Sequence, residues 1–342
     1  MADRVLTTRH LIRALLARQL LLERVPLTIE AALEQVGGLQ TQYAPSGYVG
    51  LWTRLAGFRR SALTEALEER SAIQATLMRT TIHMVSRREF WGYAVGVRPA
   101  RRAWAARTQA LPGEAELKRR SDALREALRD SPRSVKELEG LGGGFIGNLG
   151  LWVDLVRVPP SGTWERRRAD RLALAEDWVG PPDATEDEGL VHLVSSYLRA
   201  FGPAPWRDIA SWAGIPVAEA RRGGEGLDLE RCRDERGREL VDLPGAPLPD
   251  PDTPAPVRFL AHWDSSMLVH ARRTGILPEA IRPRIFNSKN PFSLGTVLVD
   301  GHVVAGWTYR AGHIELAWYD EVSSPDARAI EAEREALEAF HA

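Results

Sequence analysis

The order of predicted secondary structure constrains the fold of this chain more than any single motif does. In the first third, helical patterns over residues 8–22, 28–36, 45–55 and 61–70 precede a run rich in β-branched residues, 73–85. That run predicts two strands or one bent strand. Three or four helices followed by a β-ribbon is the order of a winged helix, a helix-turn-helix variant that carries a hairpin.

The same order recurs twice more along the chain. The second round has helical patterns over 114–129, 134–141 and 145–155, then a hairpin at 156–165. The third round has helices at 186–201 and 206–213, a short helix after Pro216, and strands near 227–233 and 239–243. This is a repeat of element order rather than of residue identity. It predicts an α+β fold built from three tandem winged helices.

Two stretches rich in proline and glycine, 180–183 and 245–256, predict linkers. We therefore predict a first winged helix at 1–112, a second at 113–182, a third at 183–250, and a C-terminal β-rich segment with a closing helix at 251–342. The last segment has predicted strands at 257–261, 296–300, 302–310 and 313–319, and an amphipathic helix at 327–341. Asp300-Gly301 predicts the hairpin turn between two of these strands.

Composition excludes several classes of protein. The chain has 342 residues and a net charge of −1, which argues against a uniformly basic nucleic-acid binder. It has 42 arginines but three lysines, a bias that a GC-rich genome would largely explain. A single cysteine, Cys232, excludes an internal disulfide framework and a cysteine zinc cluster. The charged N-terminus and the lack of a long apolar run predict a cytoplasmic protein without a membrane span.

Motifs for cofactors and metals are missing from the sequence. It has no Walker loop, no dinucleotide fingerprint and no EF-hand loop, and its eight histidines are scattered. We therefore predict no cofactor and no metal site. His83 lies in the predicted β-ribbon, where a structural histidine is the more common role, and His262 with Asp264 could form a polar network.

Two glutamines, Gln40 and Gln42, stand one residue apart after Gly37-Gly38 and shortly before the helix that starts at Pro45. In an extended segment, side chains at positions i and i+2 point to the same face. Two carboxamides could then share one target, such as a water molecule. The competing interpretation is a loop whose two glutamines face solvent.

Four segments together resemble the winged-helix DNA glycosylase superfamily of AlkZ- and YcaQ-like proteins. The first segment consists of residues 38–42 together with 51–55. The other three are 77–85, 197–204, and 296–303 with Gly306-Trp307. The resemblance implies tandem winged helices in a C-shaped arrangement around duplex DNA. The catalytic motif of the AlkZ branch is Gln-x-Gln, and the matching positions are Gln40 and Gln42. The residue between them is Thr41, where that branch commonly carries an aliphatic residue.

Two neutral amides suit one kind of leaving group. A carboxamide neither donates nor removes a proton usefully near neutral pH. An N7-alkylated purine already carries a positive charge, so it leaves without protonation. The expected activity is therefore a monofunctional DNA glycosylase for cationic N7-alkylated purines in duplex DNA, including bulky adducts or interstrand crosslinks. No lysine lies near the motif to form a Schiff base.

We expect the protein to act as a monomer on duplex DNA that carries an alkylated purine. The residues predicted to contact DNA are Tyr48, Arg79, His83, Arg166, Arg167, Arg168 and Arg310. The arginines near the predicted wings would bind phosphates. Two alternatives remain at this point: a non-catalytic winged-helix DNA-binding protein or regulator, and a protein that binds damaged DNA without cutting it. A regulator usually dimerises on a palindrome, which three winged helices in one chain do not require.

Overall fold

The computed structural model describes residues 4–139, 150–267, 275–286 and 293–342. Its mixed helices and strands confirm the predicted α+β class. The α-helices are, in chain order, α1 Thr8–Arg18, α2 Ile29–Val36, α3 Pro45–Trp52, α4 Arg60–Glu68, α5 Phe90–Thr108, α6 Glu114–Leu128, α7 Val135–Leu138, α8 Ala175–Trp178, α9 Glu186–Phe201, α10 Trp206–Ala213, α11 Val217–Gly224, α12 Arg282–Ile285 and α13 Ser324–His341.

The strands form three sheets. They are β1 Val5–Leu6, β2 Leu39–Gln40, β3 Ala72–Thr76, β4 Ile82–Ser86, β5 Arg133–Ser134, β6 Leu155–Arg157, β7 Arg171–Leu174, β8 Glu230–Asp234, β9 Glu239–Asp242, β10 Arg258–Leu260, β11 Gly295–Val299, β12 His302–Arg310 and β13 His313–Trp318. The sheet orders are β2-β4-β3-β6-β7-β5, β1-β8-β9 and β10-β11-β12-β13.

Local capping chemistry sets the helix boundaries of the first round. The Thr28 side chain accepts a hydrogen bond from the backbone N–H of Ala31 at the start of α2, and Pro45 occupies the first turn of α3. Both starts confirm the prediction. Helix α1 begins at Thr8 as expected but ends at Arg18 instead of Leu22. The cause is local, because Leu20 adopts a left-handed conformation with φ 55°.

The β-branched run is a hairpin of two strands. Strands β3 and β4 pair antiparallel and are joined by a short 3₁₀ turn, Met78–Thr80. Strand β3 also pairs with β6, so the hairpins of the first two rounds belong to one six-stranded sheet. The sheet therefore joins two predicted regions through backbone hydrogen bonds.

Helix α5 was not predicted. Its sequence contains Gly92, Gly96 and Pro99, which weaken a helical pattern. Packing explains the glycines, because a Cβ at Gly96 would lie 2.5 Å from the carbonyl oxygen of Gly189 in α9. A Cβ at Gly92 would lie 2.6 Å from the ring of His192. The two helices thus touch along their backbones in the largest hydrophobic core.

The second round departs from prediction in its wing. The returning strand β7 begins at Arg171, so the hairpin loop is longer than the expected one at 156–165. Helix α7 begins after Ser134 as predicted, with a capping box to Glu137. The helix predicted at 145–155 lies partly outside the described residues. Within them, residues 150–154 form turns and a bend, and Leu155 starts β6.

The third round and the C-terminal segment follow the predicted order closely. Helix α9 spans the predicted residues, and β8 pairs with β9. The turn at Asp300-Gly301 connects β11 to β12, and both residues have a positive φ, 48° and 82°. Helix α13 starts at Ser324, three residues before the prediction, because Ser323 caps it. Leu337 on α13 joins Tyr48, Trp164 and Trp307 in one core.

Among helices in the described ranges, none combines the length and apolar character of a membrane-spanning segment.

Candidate active site around Gln40 and Gln42

Glycine places the Gln40 strand against its neighbour. Gly37 and Gly38 both have a left-handed backbone, with φ 73° and 76°. A Cβ at Gly38 would lie 2.9 Å from Cγ1 of Val85 and 3.0 Å from the carbonyl oxygen of Met84. Only glycine allows this approach, which sets β2 beside β4 with Gln40 opposite His83.

Gln40 is held by an arginine from the β3–β4 turn. Its side chain is 5% exposed, and its Oε1 atom accepts a hydrogen bond from Nη2 of Arg79 at 2.8 Å. Nη1 of Arg79 donates to the carbonyl oxygen of Trp212 at the end of α10. A Cβ at Gly214 would lie 3.0 Å from the backbone nitrogen of Arg79, so the backbone segments at these two residues approach closely. The third round of the fold therefore fixes the arginine that orients Gln40.

His83 supports the same network as a neutral ring. Its Nδ1 atom lies 3.0 Å from the carbonyl oxygen of Thr81, which can only accept, so Nδ1 carries the proton. Nε2 is then an acceptor and lies 3.4 Å from Nη2 of Arg79. Burial and the charge of Arg79 lower the pKa of His83 to about 3. The imidazole is therefore uncharged at neutral pH.

Gln42 is exposed and reaches the same turn. Its Oε1 atom accepts a hydrogen bond from the backbone N–H of Ile82 at 3.1 Å. The backbone N–H of Thr41 donates to the carbonyl oxygen of Ile82 at 2.8 Å. Residues 79–82 thus hold both carboxamides. Each amide oxygen has two lone pairs, so one of these bonds leaves capacity for a second donor.

A depression of about 210 Å³ is lined by Tyr43, the residue that follows Gln42, and we name it the aromatic pocket. The phenol oxygen of Tyr43 accepts a hydrogen bond from Nη1 of Arg167 at 3.0 Å. The lining residues are Tyr43, Pro45, Val49, Arg167, His262, Trp307, Thr308, Tyr309, Arg310 and His341.

Four of the predicted DNA contacts are exposed, namely the arginines at 166–168 and Arg310. The structure brings Arg167 and Arg310 together at the aromatic pocket. Arg168 pairs with Asp170 at 3.1 Å and Arg310 with Glu315 at 3.9 Å. Both ion pairs are at the surface, where such pairs are weak, so they leave the guanidinium groups accessible to a phosphate.

The structure places Tyr48, a predicted DNA contact, away from the surface. Its side chain is 0% exposed, its hydroxyl lies 2.9 Å from Oγ1 of Thr64, and its ring packs edge-on against Trp164 at 5.6 Å. His83, another predicted contact, is 1% exposed. Both residues belong to the interior. Arg79 is half-buried and contacts Gln40.

The sequence did not single out the aromatic pocket. The sequence pattern indicates a polar network at His262 but gives no prediction for Tyr43, Tyr309 or His341. The position of Tyr43 directly after Gln42 was the available signal. Within the described ranges, no group of three or more histidine, cysteine, aspartate or glutamate side chains is arranged to hold a metal ion.

Comparisons with known proteins agree with this architecture. The family model for the DNA glycosylase AlkZ-like family matches residues 33–340. Among solved structures, the chain is similar to the Streptomyces sahachiroi DNA glycosylase AlkZ, with a TM-score of 0.81 and 16% identity over 98% of this chain and 97% of that chain. A search of curated proteins returned no match. The match to the family model covers most of the sequence and confirms the resemblance. The chain belongs to the AlkZ-like DNA glycosylase family.

Proposed function

We propose that this glycosylase hydrolyses the N-glycosidic bond of cationic N7-alkylated purines in duplex DNA, including bulky adducts or interstrand crosslinks. One observation carries the proposal. The two carboxamides of the Gln-x-Gln motif are both anchored to residues 79–82, Gln40 through Arg79 and Gln42 through the N–H of Ile82. Two amides fixed by one turn are pre-organised to hold a common water molecule.

The chemistry needs no acid or base from the protein. The water oxygen attacks C1′ of the sugar, and the bond from C1′ to N9 of the purine breaks. The bonding electrons neutralise the positive ring, and the water's proton passes to solvent. The amide oxygens of Gln40 and Gln42 accept hydrogen bonds from the water and present negative dipole ends to the oxocarbenium-like sugar. Unmodified purines would not react, because they lack the charge that makes the base a good leaving group.

The guanidinium of Arg79 refines this role for Gln40. Its hydrogen bond uses one lone pair of Oε1 and fixes the orientation of the amide. Because Gln40 is nearly buried and Gln42 is exposed, the water would sit at the rim of the site, where DNA can reach it. Lys118 and Lys136 lie on α6 and α7, and Lys289 lies outside the described residues. We therefore expect hydrolysis without lyase chemistry.

We further propose that three winged-helix units, 1–112, 113–182 and 183–250, surround the duplex as a C-shaped monomer, with 251–342 closing the scaffold. The shared sheet supports a fixed relation between the first two units, and the contact of Arg79 with Trp212 links the first unit to the third. Bulky adducts are difficult to flip into a tight pocket. A concave scaffold would leave such a lesion largely in the groove.

The test is single-turnover release of 7-methylguanine from duplex DNA. Gln42→Ala should slow release by about 10- to 1000-fold, the range found when one stabilising donor or positioning group is lost. The double variant Gln40→Ala with Gln42→Ala should be slower still. The matched control is Gln35→Ala, because Gln35 donates to the carbonyl oxygen of Arg18 on the neighbouring helix and lies outside the motif. Wild-type rates in both motif variants would refute the assignment.

A further inference from the structure

Aromatic and imidazole rings make up half of the residues that line the aromatic pocket. His262 and Trp307 are 8% and 1% exposed and meet edge-on with ring centres 5.0 Å apart. Tyr309 stacks on His341 at 4.1 Å with an angle of 26° between the rings. Tyr43 meets His262 edge-on at 5.7 Å. Buried rings at the base and half-buried rings at the rim favour a ligand that is itself flat.

The size of the pocket limits the ligand to a single ring system. Its volume is about 210 Å³, whereas pockets for whole drug-sized ligands begin at roughly 300 Å³. A flat group attached to something larger outside the pocket would fit. Damaged DNA is such a larger body, and Tyr43 places the pocket directly after Gln42 in the chain.

The charge of the pocket excludes the purine cation itself. Arg167 and Arg310 line it, and its described lining residues include no carboxylate. Burial lowers the pKa of His262 and that of His341 to about 4, so neither ring adds charge at neutral pH. A positively charged ring would meet two guanidinium groups of like sign. The ring that enters must therefore carry no positive charge, a condition that the unmodified bases of DNA meet.

His341 contributes a ring face rather than a polar contact to this site. Its Nε2 is closed off from solvent and has no hydrogen-bond partner among the described residues, whereas its ring stacks on Tyr309. The two arginines at the rim can meanwhile reach the phosphates beside a bound ring.

We propose that the aromatic pocket binds an uncharged planar ring of the damaged duplex while Gln40 and Gln42 act on the cationic purine beside it. The inference rests on the proposed function. The ring has two possible sources, an aromatic substituent on the adduct or an unmodified base displaced next to the lesion. In both cases, Tyr309 is a specificity-determining residue, because it supplies an accessible flat face at the rim.

The first experimental arm measures binding to duplexes that carry one unreactive 2′-fluoro nucleotide of 7-benzylguanine or 7-(cyclohexylmethyl)guanine. The two adducts have similar size, but only the first is flat. If the substituent of the adduct enters the pocket, wild type and Tyr309→Phe should prefer the benzyl duplex by about tenfold, as expected for one aromatic stack. Tyr309→Leu should lose that preference. Trp318→Leu is the control, because Trp318 is an exposed aromatic residue on β13 outside the pocket.

The second arm places the fluorescent base 2-aminopurine opposite or beside an unreactive 7-methylguanine nucleotide. If a displaced base enters, wild type and Tyr309→Phe should change its fluorescence on binding, and Tyr309→Leu should not. A Tyr309 effect in the first arm assigns the pocket to the substituent, and one in the second arm assigns it to a base. If Tyr309→Leu matches wild type in both arms, the proposal is wrong.

Failure of the proposed function would be visible separately. Both arms measure binding to DNA that does not react, so they do not require catalysis. Absence of 7-methylguanine release by the wild-type protein on reactive DNA would refute the activity, whereas Tyr309→Leu binding like wild type in both arms would refute the pocket alone.

Discussion

At the scale of single residues, the candidate site is built from groups that do not titrate near neutral pH. Gln40 and Gln42 are amides, and Arg79 holds one of them by a charge-assisted hydrogen bond. His83 has a pKa of about 3, so it stays neutral at every pH above about 4. Release of an uncharged purine would require an acid for the leaving base and a base for the water, such as a carboxylate or a charged histidine. The absence of such groups from these positions agrees with a substrate that supplies the charge.

The position of the two glutamines was predictable, whereas their partners were not. Gln-x-Gln after two glycines is a local pattern. Strand β2 contains Gln40, whereas Gln42 lies in a bend after the strand. Arg79, Trp212 and Ile82 lie far from Gln40 in sequence, and only the fold brings them together. Tyr48 is the opposite case. It lies six residues after Gln42 in the sequence, but its ring packs inward against Trp164.

At the scale of elements, capping residues made many boundaries predictable because a cap acts within one turn. Thr28, Ser134 and Thr185 each accept the hydrogen bond that starts a helix. Helix α5 was not predicted because its glycines are required by close packing against α9, and local helix propensity does not reveal that contact. The length of the second wing was not predicted for a similar reason, since pairing with β6 determines where β7 begins.

The Gly38 position offers a test of how β2 is placed. Gly38→Ala should reduce the free energy of unfolding by about 2–4 kcal/mol, because it combines a left-handed backbone with a contact at 2.9 Å. Gly57→Ala is the matched control. Gly57 has φ +65° and no atom within 4 Å of its added Cβ, so only the backbone cost of about 1 kcal/mol applies.

Chemical denaturation of both glycine variants measures the difference. The folded fraction of the Gly38→Ala variant should also release 7-methylguanine more slowly than wild type, because β2 carries Gln40. Equal stability of the two variants would show that the approach of β2 to β4 does not depend on Gly38.

At the scale of the whole molecule, a chain with a net charge of −1 must bind DNA through a local surface. The exposed arginines at 166–168 and Arg310 are the proposed contacts. Each phosphate contact adds a slope of about −0.9 to the plot of log affinity against log salt concentration. Replacing Arg166, Arg167 and Arg168 by alanine should therefore flatten that slope by about two to three.

Fluorescence anisotropy with a labelled duplex over a salt series measures this slope. The control changes the same amount of charge at Arg119, Arg129 and Arg222, which pair with carboxylates on their own helices. It should leave the slope unchanged. An equal decrease in the steepness of the salt dependence in both triple variants would mean that net charge, and not the second wing, governs DNA binding.

The central claim is that two neutral amides suffice because the leaving base brings its own positive charge. The pH dependence of single-turnover 7-methylguanine release tests it most directly. Raising the pH from about 6 to 9 changes the protonation of neither amide, and His83, His262 and His341 are already neutral throughout. The N1–H of a 7-methylguanine cation can itself ionise in this range, so each rate is divided by the spontaneous release rate of the same DNA at the same pH. We predict that this ratio stays constant within about twofold. A bell-shaped ratio, or a limb with a midpoint inside the range, would reveal an ionising acid or base of the protein and contradict the mechanism.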